Sequence, residues 1–104
     1  MVDLALGAVG ALADAAGDVA EALARDPEAQ RIATEARGRL RLERMNNRNK
    51  RRWYRCVQAA CEDLADARED GDSAEAHAAV LRLLTLGVSG DMLRLAVSTV
   101  EALP

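Results

Sequence analysis

Apolar residues recur along most of the chain at spacings of three and four, which is the pattern of amphipathic helices. Over the first 25 residues, the apolar positions surround a narrow charged stripe. At 100° per residue this stripe is about 60° wide, and it consists of Asp3, Asp14, Asp18, Glu21 and Arg25. The pattern predicts a first helix over about residues 3–25 that is covered on most of its sides.

Residues that favour helix ends mark the next two helices. Asp26 followed by Pro27 predicts the start of a second helix, which continues to about Leu40. Asn46 and Asn47 favour a turn after it, although one unbroken helix over 27–69 is the alternative. A third helix over about 52–69 is indicated by an apolar stripe of Trp53, Val57, Ala60, Leu64 and Ala67.

Two shorter helices complete the chain. Asp72 or Ser73 caps the fourth, Gly87 ends it, and the fifth starts near Ser89. The apolar positions of the fifth helix that we expect to be buried are Met92, Leu95 or Leu93, Ala96, Val100 and Leu103. The sequence therefore predicts an all-α fold, a compact bundle of four to five helices in a single domain over 1–104, with a helix-turn-helix-like C-terminal hairpin.

Composition favours the same fold. Half of the residues are apolar but only 2% are aromatic, so the core is built from Ala, Leu and Val, which excludes most sheet architectures. The most apolar stretch, 4–24, contains three acidic residues, and we expect neither a membrane span nor a secretion signal. Cys56 and Cys61 lie on different faces of one helix, so we expect free thiols and a cytoplasmic location.

Charge is strongly segregated along the sequence. Residues 37–55 contain nine basic residues and one acidic residue, whereas the rest of the chain has a net charge of −11. Guanidinium groups pair with phosphates, and exposed aromatic rings stack on unpaired bases. We therefore predict a small helical regulatory or adaptor protein. It would bind nucleic acid, DNA or RNA, through Arg37, Arg39, Arg41, Arg44, Arg48, Lys50, Arg51, Arg52, Trp53, Tyr54 and Arg55.

Two other interpretations of the basic segment stay open. The segment could bind an acidic protein partner, which would make the chain an interaction or inhibitor module, or it could be a structural counter-surface. Arginines paired with Glu62, Asp63 or Asp66 of a neighbouring chain would indicate the structural role, whereas a continuous exposed arginine stripe would favour nucleic acid. Residues 48–55 also loosely resemble the arginine-rich helices with which some viral and phage regulators bind RNA.

The sequence contains no recognised catalytic pattern, and we expect neither an enzyme nor a cofactor. His77 is the only histidine and has no ligand partner at zinc spacing, and the acidic residues near Gly71 do not match a calcium loop. No metal site is therefore expected. The predicted C-terminal hairpin has Arg94 as the only basic residue of its second helix, so we do not expect it to read DNA.

The narrow charged stripe of the first helix also raises the question of assembly. A second copy of the chain would cover the apolar sides of this helix, and we predict a homodimer. Its interface would include Leu4, Val9, Leu12, Val19 and Leu23. The alternative is that the helix lies centrally, surrounded by the other helices of its own chain.

Overall fold

The structure, a computed structural model, describes residues 2–43 and 45–102, without the side chains of 2–9, 41, 42 and 100. Within this part of the chain there are five helices and no strand, which confirms the all-α bundle. The helices are α1 (Val2–Arg25), α2 (Pro27–Leu42), α3 (Asn47–Glu69), α4 (Ser73–Thr85) and α5 (Gly90–Glu101). None of the described helices is long and apolar enough to cross a membrane.

Side-chain caps begin α2, α3 and α4. The carboxylates of Asp26 and Asp72 each accept a hydrogen bond from a backbone N–H in the first turn of the following helix, at 3.0 and 3.1 Å. The side chain of Asn46 accepts a bond from the N–H of Asn49 at 2.9 Å. The second and third helices are therefore separate, as the asparagines predicted, and α3 begins about one turn earlier than expected.

Gly87 ends α4 because the chain there takes a left-handed conformation, with φ at +81°. The N–H of Gly87 donates to the carbonyl of Leu84 at 2.9 Å, and the N–H of Val88 donates to that of Leu83 at 3.1 Å. These bonds satisfy carbonyls that a helix end otherwise leaves unpaired. The predicted stop at Gly87 is thus confirmed, and it turns the chain towards α5.

The first helix lies in the middle of the bundle and contacts each of the other four helices. Val19 has no exposed area and belongs to the core of its own chain, so it offers no surface to a second copy. Leu12 and Leu23 are partly buried against the same core, and the side chains of Leu4 and Val9 lie outside the described part. The described part of α1 thus lies centrally, surrounded by the other helices of its own chain. The homodimer stays a prediction.

The last helix packs along α1 and, among the described residues, makes no helix contact with α4. The approach is close, since a Cβ atom on Gly90 would lie 2.9 Å from the backbone oxygen of Ala16. Leu93 faces this contact and is buried, whereas Met92 and Leu95 are 44% and 69% exposed. The expectation that Met92 is buried is therefore wrong, because in the described part of the chain α5 has a single neighbouring helix and its apolar residues spread over more than one side. The side chain of Val100 and the whole of Leu103 lie outside the described residues.

The third helix packs against α1 and α4 through its predicted apolar stripe. Val57, Ala60, Leu64 and Ala67 are buried and Trp53 is half-buried, as the spacing predicted. On the far side of the same helix, a different surface is formed by exposed charged residues. The orientation of α3 is thus set by its apolar face, and this leaves the opposite face to solvent.

Candidate nucleic-acid interface

The end of α2, the start of α3 and the end of α4 meet at one corner of the bundle. The guanidinium of Arg39 donates a hydrogen bond to the carbonyl of Thr85, and the indole Nε1 of Trp53 donates one of 2.7 Å to the carbonyl of Leu86. Both carbonyls belong to the end of α4, where a helix leaves carbonyls unpaired and carries partial negative charge. The first bond ties α2 to the end of α4, and the second fixes the first turns of α3 relative to the bundle.

Four arginines at spacings of three, one and three form the exposed side of the first turns of α3. We call Arg48, Arg51, Arg52 and Arg55 the α3 basic face. All four are exposed and lie on the side of the helix opposite its buried stripe. The face is about 10 Å long, given a rise of 1.5 Å per residue. It is therefore a continuous exposed arginine stripe, the arrangement expected to favour nucleic acid over a structural role.

Ion pairing separates the basic segment from the rest of the chain. Among the described residues, no basic side chain of segment 37–55 has a carboxylate oxygen within 4 Å, and this includes the whole α3 basic face. Each basic residue outside the segment does have such a partner, and these are Arg25, Arg31, Arg68, Arg82 and Arg94. The uncompensated positive charge of the described chain is thus concentrated at one site.

Two aromatic rings lie beside the α3 basic face and have different environments. Trp53 is half-buried, and its indole N–H donates a hydrogen bond to the carbonyl of Leu86. Tyr54 is 64% exposed, and its ring meets that of Trp53 edge to face, with centroids 5.1 Å apart. Of the two rings predicted to stack on bases, Tyr54 has the larger exposed surface, and Trp53 supports it from one side.

The remaining predicted contact residues are divided by the structure. Arg37, Arg39 and Lys50 are exposed. The guanidinium of Arg39 differs from the other two in that it donates a hydrogen bond to a carbonyl at the end of α4. The side chain of Arg41 and the whole of Arg44 lie outside the described residues.

The sequence-based prediction missed Gln58. It lies on α3 four residues after Tyr54, exposed, and on the same side as Asn47 and Arg51. Its amide donates to the carboxylate of Glu62 at 3.3 Å. A side-chain amide can also bond the edges of bases. Helical spacing from Tyr54 was the signal that could have identified it.

The C-terminal hairpin offers much less positive charge. Arg94 forms an ion pair of 3.0 Å with Asp91 on the same helix. The helix that carries both residues packs on α1. In the described ranges it makes no contact with α4, whereas the two helices of a helix-turn-helix pack together. Within the described part of α4 and α5, the structure therefore brings no group of basic residues together.

Comparison of the chain with protein-family models, with curated proteins and with solved structures finds no match.

Proposed function

We propose that this chain binds nucleic acid through the α3 basic face, with Tyr54 stacking on unpaired bases at its edge. The observation that carries the proposal is the contrast in ion pairing described above. Every arginine outside segment 37–55 has a carboxylate partner, and the four arginines of the basic face have none among the described residues. Guanidinium groups left exposed and unpaired on one face are suited to bind phosphate oxygens in pairs.

The cost of this arrangement to α3 supports a binding role. The arginines lie three and four residues apart, so each repels its neighbours on the helix surface. They also occupy the N-terminal half of the helix, where the helix dipole disfavours positive charge and where the first turn has no acidic residue. Each effect destabilises the helix by a few tenths of a kcal/mol. The arginines therefore do not serve the stability of the helix.

The direct test measures binding of a labelled single strand and of a labelled duplex at about 50 mM salt, by fluorescence anisotropy. The variant carries Arg48→Glu, Arg51→Glu and Arg52→Glu. The matched control carries Arg25→Glu, Arg31→Glu and Arg94→Glu, which changes the net charge equally at exposed sites away from the face. We expect the first variant to lose binding and the control to keep most of it.

Equal loss in the two variants would contradict the proposal, because binding would then depend on net charge alone.

The second candidate function is a protein-interaction module. The observation that favours it is the acidic second half of α3, which contains Glu62, Asp66 and Glu69. Binding of a polylysine chain with no binding of either nucleic acid would support that function instead. As part of the proposal we place the chain in the cytoplasm, where its two free thiols would stay reduced.

A further inference from the structure

The outward side of α3 carries a row of seven residues whose spacings alternate between four and three. This alternation is the one with which a helix faces a partner helix in a coiled coil. All seven side chains are exposed. We call this row the α3 seam, and it consists of Arg48, Arg52, Arg55, Ala59, Glu62, Asp66 and Glu69.

Charge along the α3 seam is divided at Ala59. Three arginines precede it and three carboxylates follow it, and no charge of the wrong sign interrupts either half. The two charges closest to the division, Arg55 and Glu62, are seven residues apart, or about 10 Å along the axis. Ion pairs on one helix form between residues three or four apart. The seam therefore cannot neutralise itself within one helix.

The carboxylates of the α3 seam are also unpaired with other helices. Within the described residues, none of them has a cationic group within 4 Å, and the polar contact of Glu62 is with the amide of Gln58. Neighbouring charges on the same helix behave differently. Asp63 pairs with Arg82 at 2.9 Å, and Arg68 pairs with Asp18. Asp63 and Arg68 thus form ion pairs that join helices of the bundle, whereas the seam carboxylates have no cationic partner in the described part of the chain.

We propose that two copies of this chain pair through the α3 seam, with the helices antiparallel and a two-fold axis at Ala59. Each arginine of one copy then meets a carboxylate of the other: Arg55 meets Glu62, Arg52 meets Asp66, and Arg48 meets Glu69. The two-fold axis repeats each pair, which gives six ion pairs across the interface. A parallel pairing would place arginine against arginine and carboxylate against carboxylate.

The small side chain at the axis fits this geometry. Ala59 would face its own counterpart, and a methyl group lets two helices approach closely without a clash. The attraction is electrostatic, since the seam contains no large apolar residue. Exposed ion pairs are individually weak and are screened by salt. The dimer is therefore a low-affinity one that dissociates as the salt concentration rises.

This pairing regulates the site that we propose for nucleic acid, and in this respect it rests on the proposed function. Three of the four arginines of the α3 basic face belong to the α3 seam. In the dimer they are covered by the carboxylates of the second copy, so phosphates and the second copy compete for the same guanidinium groups. Nucleic acid binds the monomer, and self-association masks the binding face.

A charge-swap experiment tests the pairing without nucleic acid. One variant carries Arg48→Glu, Arg52→Glu and Arg55→Glu, and the other carries Glu62→Arg, Asp66→Arg and Glu69→Arg. Sedimentation at about 20 mM salt, where screening is weak, should show that wild type self-associates and that neither variant does. An equimolar mixture of the two variants should form a one-to-one dimer, since each then supplies the charge that the other lacks.

A single substitution at the axis tests the pairing even if the triple variants fail to fold. Ala59→Glu brings two carboxylates together on the axis and should weaken self-association. Ala78→Glu places the same change on an exposed position of α4, outside the seam, and should leave self-association intact. A wild-type protein that stays monomeric near 1 mM at this salt concentration would overturn the pairing. So would equal effects of the two alanine substitutions, or a mixture of folded triple variants that stays monomeric.

Failure of the pairing and failure of the proposed function give different results. The variant with Glu62→Arg, Asp66→Arg and Glu69→Arg keeps the α3 basic face and cannot mask it, so it should bind nucleic acid more tightly than wild type. If wild type binds nucleic acid but never dimerises, the pairing is wrong and the function stands. If wild type dimerises and this variant binds no nucleic acid, the function is wrong and the pairing stands.

Discussion

The indole Nε1 of Trp53 donates a hydrogen bond of 2.7 Å to the backbone carbonyl of Leu86, 33 residues further along the chain. This bond joins the start of α3 to the end of α4 and satisfies a carbonyl that the helix end leaves unpaired. The same ring supports the exposed ring of Tyr54. A residue of the apolar core stripe thus also positions the candidate binding surface.

Replacing Trp53 by Phe should therefore destabilise the fold. The substitution removes the donor and leaves the carbonyl of Leu86 without it, which should lower the free energy of unfolding by about 1–2 kcal/mol. Urea denaturation measures this change. The matched control is Tyr54→Phe, an exposed position at which we expect a change within about 0.5 kcal/mol. Equal stability of the two variants would show that the bond contributes nothing.

The packing of α5 on α1 depends on the absence of a side chain at Gly90. In Gly90→Ala the new Cβ atom would lie 2.9 Å from the carbonyl oxygen of Ala16, a backbone atom that cannot move aside easily. We expect a loss of about 1–3 kcal/mol in the free energy of unfolding. Gly17→Ala, at an exposed site inside α1 with open space around it, should gain about 0.5–1 kcal/mol. Destabilisation by both variants to the same extent would contradict this account.

Cys61 makes the stability depend on pH in the alkaline range. Burial raises the pKa of its thiol from the ordinary value of 9.0 to about 11, with a smaller contribution from the charge of Glu62. The unfolded chain therefore releases this proton first, and the free energy of unfolding should fall as the pH rises from 9 to 11. Chemical denaturation across this range should show a smaller fall in Cys61→Ala. The exposed Cys56→Ala should behave like wild type.

The two helices that carry candidate contacts, α3 and α5, should differ in their effect on binding. Arg51 is unpaired among the described residues, whereas Arg94 is bound to Asp91. Arg51→Ala should weaken nucleic-acid binding several-fold and lower its salt dependence by about one phosphate contact, while Arg94→Ala should change little. Anisotropy titrations at two salt concentrations measure both effects. Loss of binding in Arg94→Ala alone would place the binding surface on α5.

Features set by neighbouring residues were predictable from the sequence. The cap at Asp26 and the stop at Gly87 depend on local backbone chemistry, and the sequence alone places them correctly. For the cap of α4 the sequence left Asp72 and Ser73 open, and the structure has Asp72. The basic face was predictable only in part: residues spaced by three and four share a side of a helix, but the sequence placed the start of the third helix near residue 52, which left Arg48 and Arg51 outside it.

Features set by distant residues were not predictable. The narrow charged stripe of α1 indicated that the helix is covered, but coverage by its own chain and by a second copy leave the same pattern. Met92 and Leu93 are adjacent apolar residues, and only the position of α1 decides which of them is buried. The bonds from Arg39 and Trp53 to the end of α4 join residues more than 30 positions apart, for which the sequence contains no local signal.

The salt dependence of wild-type binding tests the central claim most directly. With about four to six phosphate contacts from the α3 basic face and its neighbours, raising the salt concentration from about 50 to about 200 mM should weaken duplex binding roughly 100-fold or more, through release of counterions. A mobility-shift or anisotropy titration of the unmodified protein measures this. A complex at low salt that weakens by this factor is the result predicted here, and the absence of any complex with DNA or RNA at about 50 mM salt would contradict it.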